Sequence, residues 1–96
     1  MARRKSMLVE DMEHCLICGT SRNIHIHHVV QGTANRKKSD KYDLVVPLCA
    51  EHHNMSRYGV HFNKPLDTKL KKWAQRKFEE KYSHELWMQT FHRNYL

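Results

Sequence analysis

The chain has 96 residues, which is too short for two hydrophobic cores, so we expect one domain over residues 1–96. A mean hydropathy of −0.82 indicates a small core of the kind that metal ions often stabilise. The net charge of +7 favours a polyanionic partner such as DNA, although a basic protein without such a partner has the same charge. No stretch is typical of a signal peptide or a membrane span, so we expect a cytoplasmic protein with no membrane partner.

Residues 1–13 predict an N-terminal arm. Its basic start, Met1–Lys5, predicts a solvated terminus, with phosphate contact as the alternative, and residues 7–9 predict a short packing segment. The chain has three cysteines, which cannot all pair within it. The sequence therefore favours a reducing setting in which thiolates serve as metal ligands.

Cys15 and Cys18 form a Cys-x2-Cys pair that Gly19 follows directly. This spacing is typical of a zinc knuckle, because two thiolates on one tight turn can bind the same ion. Redox chemistry is the alternative, but the thioredoxin-like βαβ surroundings are lacking. The neighbouring His14 is expected at the surface.

Residues 24–30 predict a strand that carries three histidines among β-branched residues. Alternation places His25 and His27 on one face and His28 on the other. A twist or a β-bulge would let His27 and His28 address the same site. His25 is assigned no role and is expected to pack or to face solvent.

Residues 31–43 lack an apolar period and predict a polar loop between two strands. Its basic side chains would suit contacts to DNA phosphates: Arg36, Lys37, Lys38 and Lys41. The second strand, residues 44–48, contains Pro47, which places it at a sheet edge or ends it. A short helix over residues 49–58, stopped by Gly59, would complete a ββα unit.

Two helices are predicted after this unit. Residues 66–82 show apolar positions at spacings of three and four, with Trp73 and Phe78 in the core and a basic opposite face that is solvated or holds DNA. Ser83 is suited to cap a last helix that begins at His84.

A Cys-x2-Cys pair and a Cys-x2-His pair together supply four ligands for a tetrahedral structural zinc: Cys15, Cys18, Cys49 and His52. The ion would join the segment before the hairpin to the helix after it. His53 is the alternative fourth ligand, and we favour His52 because its spacing from Cys49 repeats that of the first pair.

The remaining histidines predict a second site. Neighbours on a helix point about 100° apart, so His53 can face the hairpin while His52 faces the zinc. His61 lies too far along a straight helix to join His53, but Gly59 would let the chain fold back. Nine histidines in 96 residues exceed what an inert core explains.

An ordered set of motifs resembles the HNH, or ββα-metal, nucleases: Cys-x2-Cys, His27-His28-Val29, Leu44-Val45-Val46-Pro47-Leu48-Cys49 and His52-His53. The continuation through Gly59-Val60-His61 to Phe78-Glu79-Glu80-Lys81-Tyr82 is most similar to the small phage HNH proteins related to the recombination-enhancement nuclease. The resemblance implies an α+β fold, in which residues 14–63 form the zinc-stapled ββα core and residues 64–96 add C-terminal helices.

The resemblance also implies roles for individual residues. His28 would be the general base, and the catalytic metal would be held by His27, His53 and His61. Asp43 takes the position of the family's central asparagine, where it can accept hydrogen bonds but cannot donate as an amide does. An imidazole with a pKa of about 6.5 suits a base at neutral pH. A cation at the scissile phosphate stabilises developing charge; imidazole ligands favour Zn²⁺, Ni²⁺ or Mn²⁺ over Mg²⁺, although Mg²⁺ can still be the working ion.

We therefore expect a metal-dependent DNA endonuclease that acts in recombination or DNA processing in a bacterial or phage-infected cytosol. A recombinase filament or another DNA-processing protein is the partner that the resemblance implies. The alternative is a non-catalytic zinc module that binds nucleic acid or protein, and a toxin-like nuclease would share the same chemistry. His28 favours the nuclease over the zinc module, because a structural finger needs no imidazole beside the ligand His27.

Overall fold

The structure, a computed structural model, describes residues 5–31, 33–55 and 59–96. The elements are β1 (Ile24–His28), α1 (Thr33–Lys41), β2 (Val45–Cys49), a π-helical turn (Glu51–Met55), a 3₁₀ turn (Val60–Phe62), α2 (Lys64–Lys81) and α3 (His84–Phe91). The chain is thus a mixed α+β protein with a two-stranded sheet, which confirms the predicted class at this level.

The two strands pair antiparallel and in continuous register. Ile24 lies opposite Cys49, and the pairing runs unbroken to His28 opposite Val45. A β-bulge between His27 and His28 is therefore absent, which removes one of the two expected alternatives, a twist or a bulge. The ordinary twist of an antiparallel pair is what remains to re-aim these side chains.

Pro47 lies in the middle of β2, opposite Ile26. Its carbonyl oxygen accepts a hydrogen bond of 2.9 Å from the backbone N–H of Leu16, outside the sheet. Because the N and C=O of one strand residue point to the same side, the missing N–H faces away from β1 and removes no bond from the ladder. The predicted edge position is confirmed.

The N-terminal segment packs beside β2. The hydroxyl of Ser6 donates to the carbonyl of Val45 at 2.6 Å, and the N–H of Met7 donates to the carbonyl of Asp43 at 2.9 Å. Leu8 is 8% exposed and joins the core. The expected packing segment is confirmed, while residues 1–4 of the basic start lie outside the described residues.

Helix α1 occupies the segment that was predicted to be a polar loop, so that prediction was wrong. Among its residues whose burial is described, Ser39 alone is fully buried, and its hydroxyl donates to the carbonyl of Val30 at 2.8 Å. A helix that buries so little shows no apolar period. Its Ala, Arg and Lys residues are strong helix formers, and that signal could have identified it.

The helix predicted over residues 49–58 begins later in the structure. Cys49 ends β2, helical structure covers Glu51–Met55, and residues 56–58 lie outside the described part. Gly59 does not adopt a left-handed helix end, since its φ is −69°. A Cβ atom there would lie 2.8 Å from the carbonyl oxygen of His53, so glycine is needed because the two backbone segments touch.

The C-terminal helices form as predicted, with small shifts. Helix α2 begins two residues early, where the side chain of Asn63 accepts the N–H of Leu66 at 3.2 Å and Pro65 occupies the first turn. The hydroxyl of Ser83 caps α3 by accepting the N–H of Leu86 at 3.0 Å.

An aromatic cluster from these helices closes the core over the sheet. Phe78 and Trp87 are fully buried with ring centroids 5.4 Å apart, and Phe91 lies 4.4 Å from Trp87. Each such side chain stabilises the fold by roughly 1.5–3 kcal/mol. Trp73 packs against the cluster partly buried. Within the described residues, no helix is long and apolar enough to cross a membrane.

Candidate metal centres

Two separate groups of ligating side chains meet in the structure, and the first contains three cysteines and one histidine. Cys15 and Cys18 lie on the knuckle, Cys49 ends β2, and His52 lies on the π-helical turn. Their donor atoms all lie within 4.8 Å of one another. The structure thus places His52, and not His53, in this group.

The distances within the first group fit a tetrahedral ion. Two thiolates that are each about 2.3 Å from a zinc ion lie about 3.8 Å apart. The Sγ atoms of Cys18 and Cys49 are 3.8 Å apart. The Nδ1 atom of His52 is 3.2 Å from the Sγ of Cys49 and 3.8 Å from that of Cys15, on either side of the expected sulfur–nitrogen edge of about 3.5 Å. This group could hold a metal such as zinc.

The protonation of the thiols supports this fit. Burial by itself would raise the pKa of the Cys15 thiol, but hydrogen bonds from the backbone of residues 49, 18 and 17 outweigh burial and lower the pKa to about 6. Cys15 is therefore a thiolate at neutral pH, the form that binds metal. Burial raises the pKa of Cys49, and a bound cation would reverse that effect. The left-handed φ of +79° at Gly19 closes the knuckle, as predicted.

The second group contains His27, His53 and His61, whose donor atoms also lie within 4.8 Å of one another. The Nε2 atoms of His53 and His61 are 3.0 Å apart. The His27 ring centroid lies 5.3 Å from that of His53 and 5.2 Å from that of His61. Imidazoles at these separations can bind one divalent ion through nitrogen, as zinc, nickel or copper prefer.

Three elements bring these histidines together. His27 projects from β1, His53 from the π-helical turn on the side away from His52, and His61 from the 3₁₀ turn. The close approach of Gly59 to the backbone of His53 holds the last two elements side by side. The predicted fold-back at Gly59 is thus realised through contact of two backbones.

Two histidines of the second group, His27 and His53, are held neutral. Burial is the main cause that lowers the pKa of His27 to about 3, and the neighbouring His53 and His61 lower it further. Burial likewise lowers the pKa of His53 to about 4, with His61 and His25 adding to the effect. Neutral rings keep lone pairs for a cation at neutral pH.

His25 contacts this second group, although the sequence assigned it no role. Its Nδ1 atom lies 2.9 Å from the Nδ1 of His53, and the two rings are nearly perpendicular with centroids 5.0 Å apart. Of the two expected settings for His25, packing or exposure to solvent, the structure shows packing, and the packing partner is His53. The alternation that put His25 on the face of His27 was the signal that could have revealed it.

A groove of about 810 Å³ opens beside the second group. The described residues that line it are Ile26, His28, Gln31, Arg36, Lys37, Asp40, His53 and His61. His27 is 1% exposed and lies buried, whereas His53 and His61 reach the groove. A cation held by the three histidines would therefore be accessible from the groove.

His28 reaches the same groove, and its partner comes from α1. The Nε2 atom of His28 lies 3.4 Å from a carboxylate oxygen of Asp40. Asp43, the predicted support of His28, sits in a left-handed turn with φ of 56°, where its backbone carbonyl bonds Met7. A role for the Asp43 side chain stays a prediction, and Asp40 was missed because α1 was not predicted.

No family model matches the chain, and neither curated proteins nor solved structures match it. The geometry of the two centres indicates the chemistry that suits each of them. The first is a set of thiolates with one imidazole, which suits a structural ion. The second offers three imidazoles beside a basic groove, which suits an ion with open positions for a ligand.

A polar chain from α2 also reaches the second group, which sequence reasoning missed. The side-chain amide nitrogen of Gln31 lies 3.4 Å from the Nε2 of His27 and donates to Asp67 at 3.2 Å. Lys71 pairs with the other oxygen of Asp67 at 2.7 Å. No motif marks this contact, because it depends on how α2 packs.

The four predicted phosphate-binding residues all lie on α1, in two different settings. Arg36 and Lys37 line the groove. The ammonium of Lys41 lies 5.4 Å from the ring centroid of Tyr42, and Lys38 is half-buried in the last turn of α1. The helix thus presents its first two basic residues to the second centre.

Proposed function

We propose that this chain is a metal-dependent endonuclease of the HNH type that hydrolyses phosphodiester bonds in DNA. The observation that carries the proposal is the open group of three histidines on a basic groove that also contains His28. A zinc module that only binds would need the Cys₃His group and nothing more. The order of the sequence motifs supports the same conclusion.

His28 is proposed as the general base. Asp40 lies on the Nε2 side of its ring, so a proton on Nε2 would face the carboxylate and leave the Nδ1 lone pair free to take a proton from water. The His28 side chain is 17% exposed, and the Asp40 side chain is 58% exposed. This half-covered setting keeps the imidazole oriented and within reach of water.

The catalytic ion would be held by His27, His53 and His61. When bound, a divalent ion there supplies charge stabilisation at the scissile phosphate and the leaving oxygen. The three histidines contribute no negative charge, so the cation would keep its full attraction for a phosphate. Their nitrogen donors favour zinc, nickel or manganese as the bound ion over magnesium.

Arg36 and Lys37 are proposed to bind the phosphates that flank the cleaved bond. Both line the same groove as His28, and the chain as a whole carries a charge of +7. Contacts of this kind are independent of base sequence and weaken with salt. Lys38 and Lys41 would extend the contact along α1, and a recombinase partner and a phage or bacterial cytosol stay predictions of the family resemblance.

The variant His28→Ala tests the proposal. We expect it to lose plasmid cleavage by 100-fold or more, on the order of the contribution of a general base. Zinc content and melting temperature should match those of the parent. His84→Ala is the matched control, because it removes an exposed imidazole whose partner is Glu79, outside the groove.

The assay is supercoiled plasmid nicking with Mn²⁺, Ni²⁺ or Mg²⁺, and zinc is measured by mass spectrometry. Full cleavage by His28→Ala would remove His28 as the base. A parent protein that binds DNA but cleaves none with any of the three ions would overturn the nuclease proposal in favour of a binding module.

A further inference from the structure

We infer that His25 is a positioning residue that selects the protonated nitrogen of His53 and so prepares the other nitrogen to bind metal. The inference rests on the proposed metal site of His27, His53 and His61. It concerns a residue outside that ligand set, on the neighbouring position of the same strand face.

Both ring nitrogens of His53 have a histidine partner. Nδ1 lies 2.9 Å from the Nδ1 of His25, and Nε2 lies 3.0 Å from the Nε2 of His61. A neutral imidazole carries one ring proton, so one nitrogen of His53 donates and the other accepts. The role of one ring nitrogen of His53, as donor or acceptor, therefore determines the role of the other.

Two proton arrangements satisfy this chain of three rings. In the first, His25 donates from Nδ1 to His53, and His53 donates from Nε2 to His61. In the second, His53 donates from Nδ1 to His25, and its Nε2 keeps a lone pair. A cation between the Nε2 atoms of His53 and His61 needs lone pairs from both, so it is compatible with the second arrangement alone.

His25 can serve both arrangements, because its own proton can sit on either nitrogen. When His53 donates to it, His25 accepts at Nδ1 and carries its proton on Nε2. Residues that accept a hydrogen bond from a metal-bound histidine fix the ring and raise the basicity of the ligating nitrogen. The loss of such a partner typically weakens metal binding by about 10–100-fold.

The position of His25 also explains how it holds the ring in place. It lies opposite Leu48 in the strand pairing, and Leu48 is fully buried. Its ring meets that of His53 at an interplanar angle of 88°. The contact comes from the regular part of the sheet, so it positions the His53 ring on the less regular π-helical turn.

Substitutions at position 25 separate this role from packing. The Oδ1 of Asp or Asn occupies the same place along the side chain as Nδ1 of His, so both can accept from His53, whereas Leu cannot. We expect Ni²⁺ affinity for the zinc-loaded protein to fall by about 10–100-fold in His25→Leu. His25→Asn should bind within a few-fold of the parent, and His25→Asp should bind at least as tightly as the parent.

Isothermal titration with NiCl₂ alone measures these affinities, with zinc content checked by mass spectrometry. His84→Leu is the control, since it removes an exposed imidazole paired with Glu79. A merely structural role would lower the melting temperature in all three variants without this order of affinities. Equal Ni²⁺ affinity in His25→Leu and parent, or no second ion bound by the parent, would overturn the inference.

The proton position itself is visible by nitrogen NMR of the histidine rings. Titration of the second site with Zn²⁺ should leave His53 protonated at Nδ1 and metal-bound at Nε2. A His53 ring that binds zinc through Nδ1 would overturn the inference. If the parent binds the second ion with this tautomer but cleaves no DNA, the role of His25 stands and the nuclease proposal fails.

Discussion

The two candidate metal centres are built in different ways although they share one turn. The Cys₃His group uses two short motifs with the same spacing, and its ligands include buried thiolates. The histidine group draws single residues from β1, the π-helical turn and the 3₁₀ turn. The first is closed by its own four ligands, whereas the second opens on a groove.

This difference fits a stabilising ion in the first centre and an ion with open coordination positions in the second. A complete set of four ligands with thiolate charge holds an ion for the stability of a small core. A set of three imidazole ligands leaves coordination positions for water or phosphate. His52 and His53, adjacent in sequence, point to different centres, so the π-helical turn contributes one side chain to each centre.

The largest effect should come from the first centre. In Cys49→Ser, one thiolate is lost from a group that joins the knuckle, β2 and the π-helical turn, and we expect loss of zinc and of the cooperative thermal transition. Structural zinc sites contribute on the order of 10 kcal/mol to folding in small domains. Circular dichroism melting and zinc analysis measure this. Cys15→Ser should behave alike, and Ser21→Ala, an exposed position, serves as the control.

A Cys49→Ser variant that kept its zinc and melting temperature would contradict the structural assignment of this centre. It would also remove the contrast between a stabilising and a reactive site.

An intermediate effect is expected from acid. Burial holds the pKa of His27 at about 3, against 6.5 in the unfolded chain, so its neutral form stabilises the fold fully above pH 6.5 and progressively less as the pH falls towards 3. Between pH 6.5 and 5.5 the free energy of unfolding should drop by roughly 1 kcal/mol through His27. His53 adds less, because solvent reaches it.

Urea unfolding of zinc-loaded protein without a second ion, at several pH values, measures this slope. The variant His27→Leu is the reference, since the difference between the two proteins cancels the acid sensitivity of the thiolates. Equal slopes in parent and variant would show that His27 is not held neutral.

A substitution effect of similar size distinguishes Gly59 from Gly19. Gly59→Ala would place a Cβ 2.8 Å from the His53 carbonyl oxygen and push the 3₁₀ turn away, at a cost of about 1–3 kcal/mol. We expect Ni²⁺ affinity at the second centre to fall while zinc is retained. Gly19→Ala strains a left-handed φ in open space, at about 1 kcal/mol, and should affect the zinc knuckle instead.

Nickel titration and zinc analysis of both glycine variants test this separation. If Gly59→Ala lost zinc and nickel together, the two centres would form one cooperative unit rather than two.

Local patterns predicted the parts of the fold whose signals are local. The apolar period of α2, the Ser83 cap of α3 and the knuckle at Gly19 depend on residues a few positions apart, and the structure confirms each. Helix α1 was not predicted, because Ser39 is its one fully buried residue among those whose burial is described. Its polar face carries no period to detect, although its helix propensity was visible.

The candidate sites divide in the same way. The spacing of Cys15, Cys18, Cys49 and His52 identified a closed four-ligand group, because both pairs sit on short turns whose geometry the spacing dictates. The sequence also placed His25 and His27 on one strand face, and alternation alone determines that.

The tertiary structure decided which neighbours these residues meet. The contact of His25 with His53, the carboxylate of Asp40 beside His28 and the chain from Gln31 to Asp67 each join separate elements. Such contacts depend on how helices and turns pack against the sheet, over separations of 12 to 36 residues. Contacts between residues so far apart follow no spacing rule in the sequence. The groove and the residues that orient its histidines are therefore visible only in the folded structure.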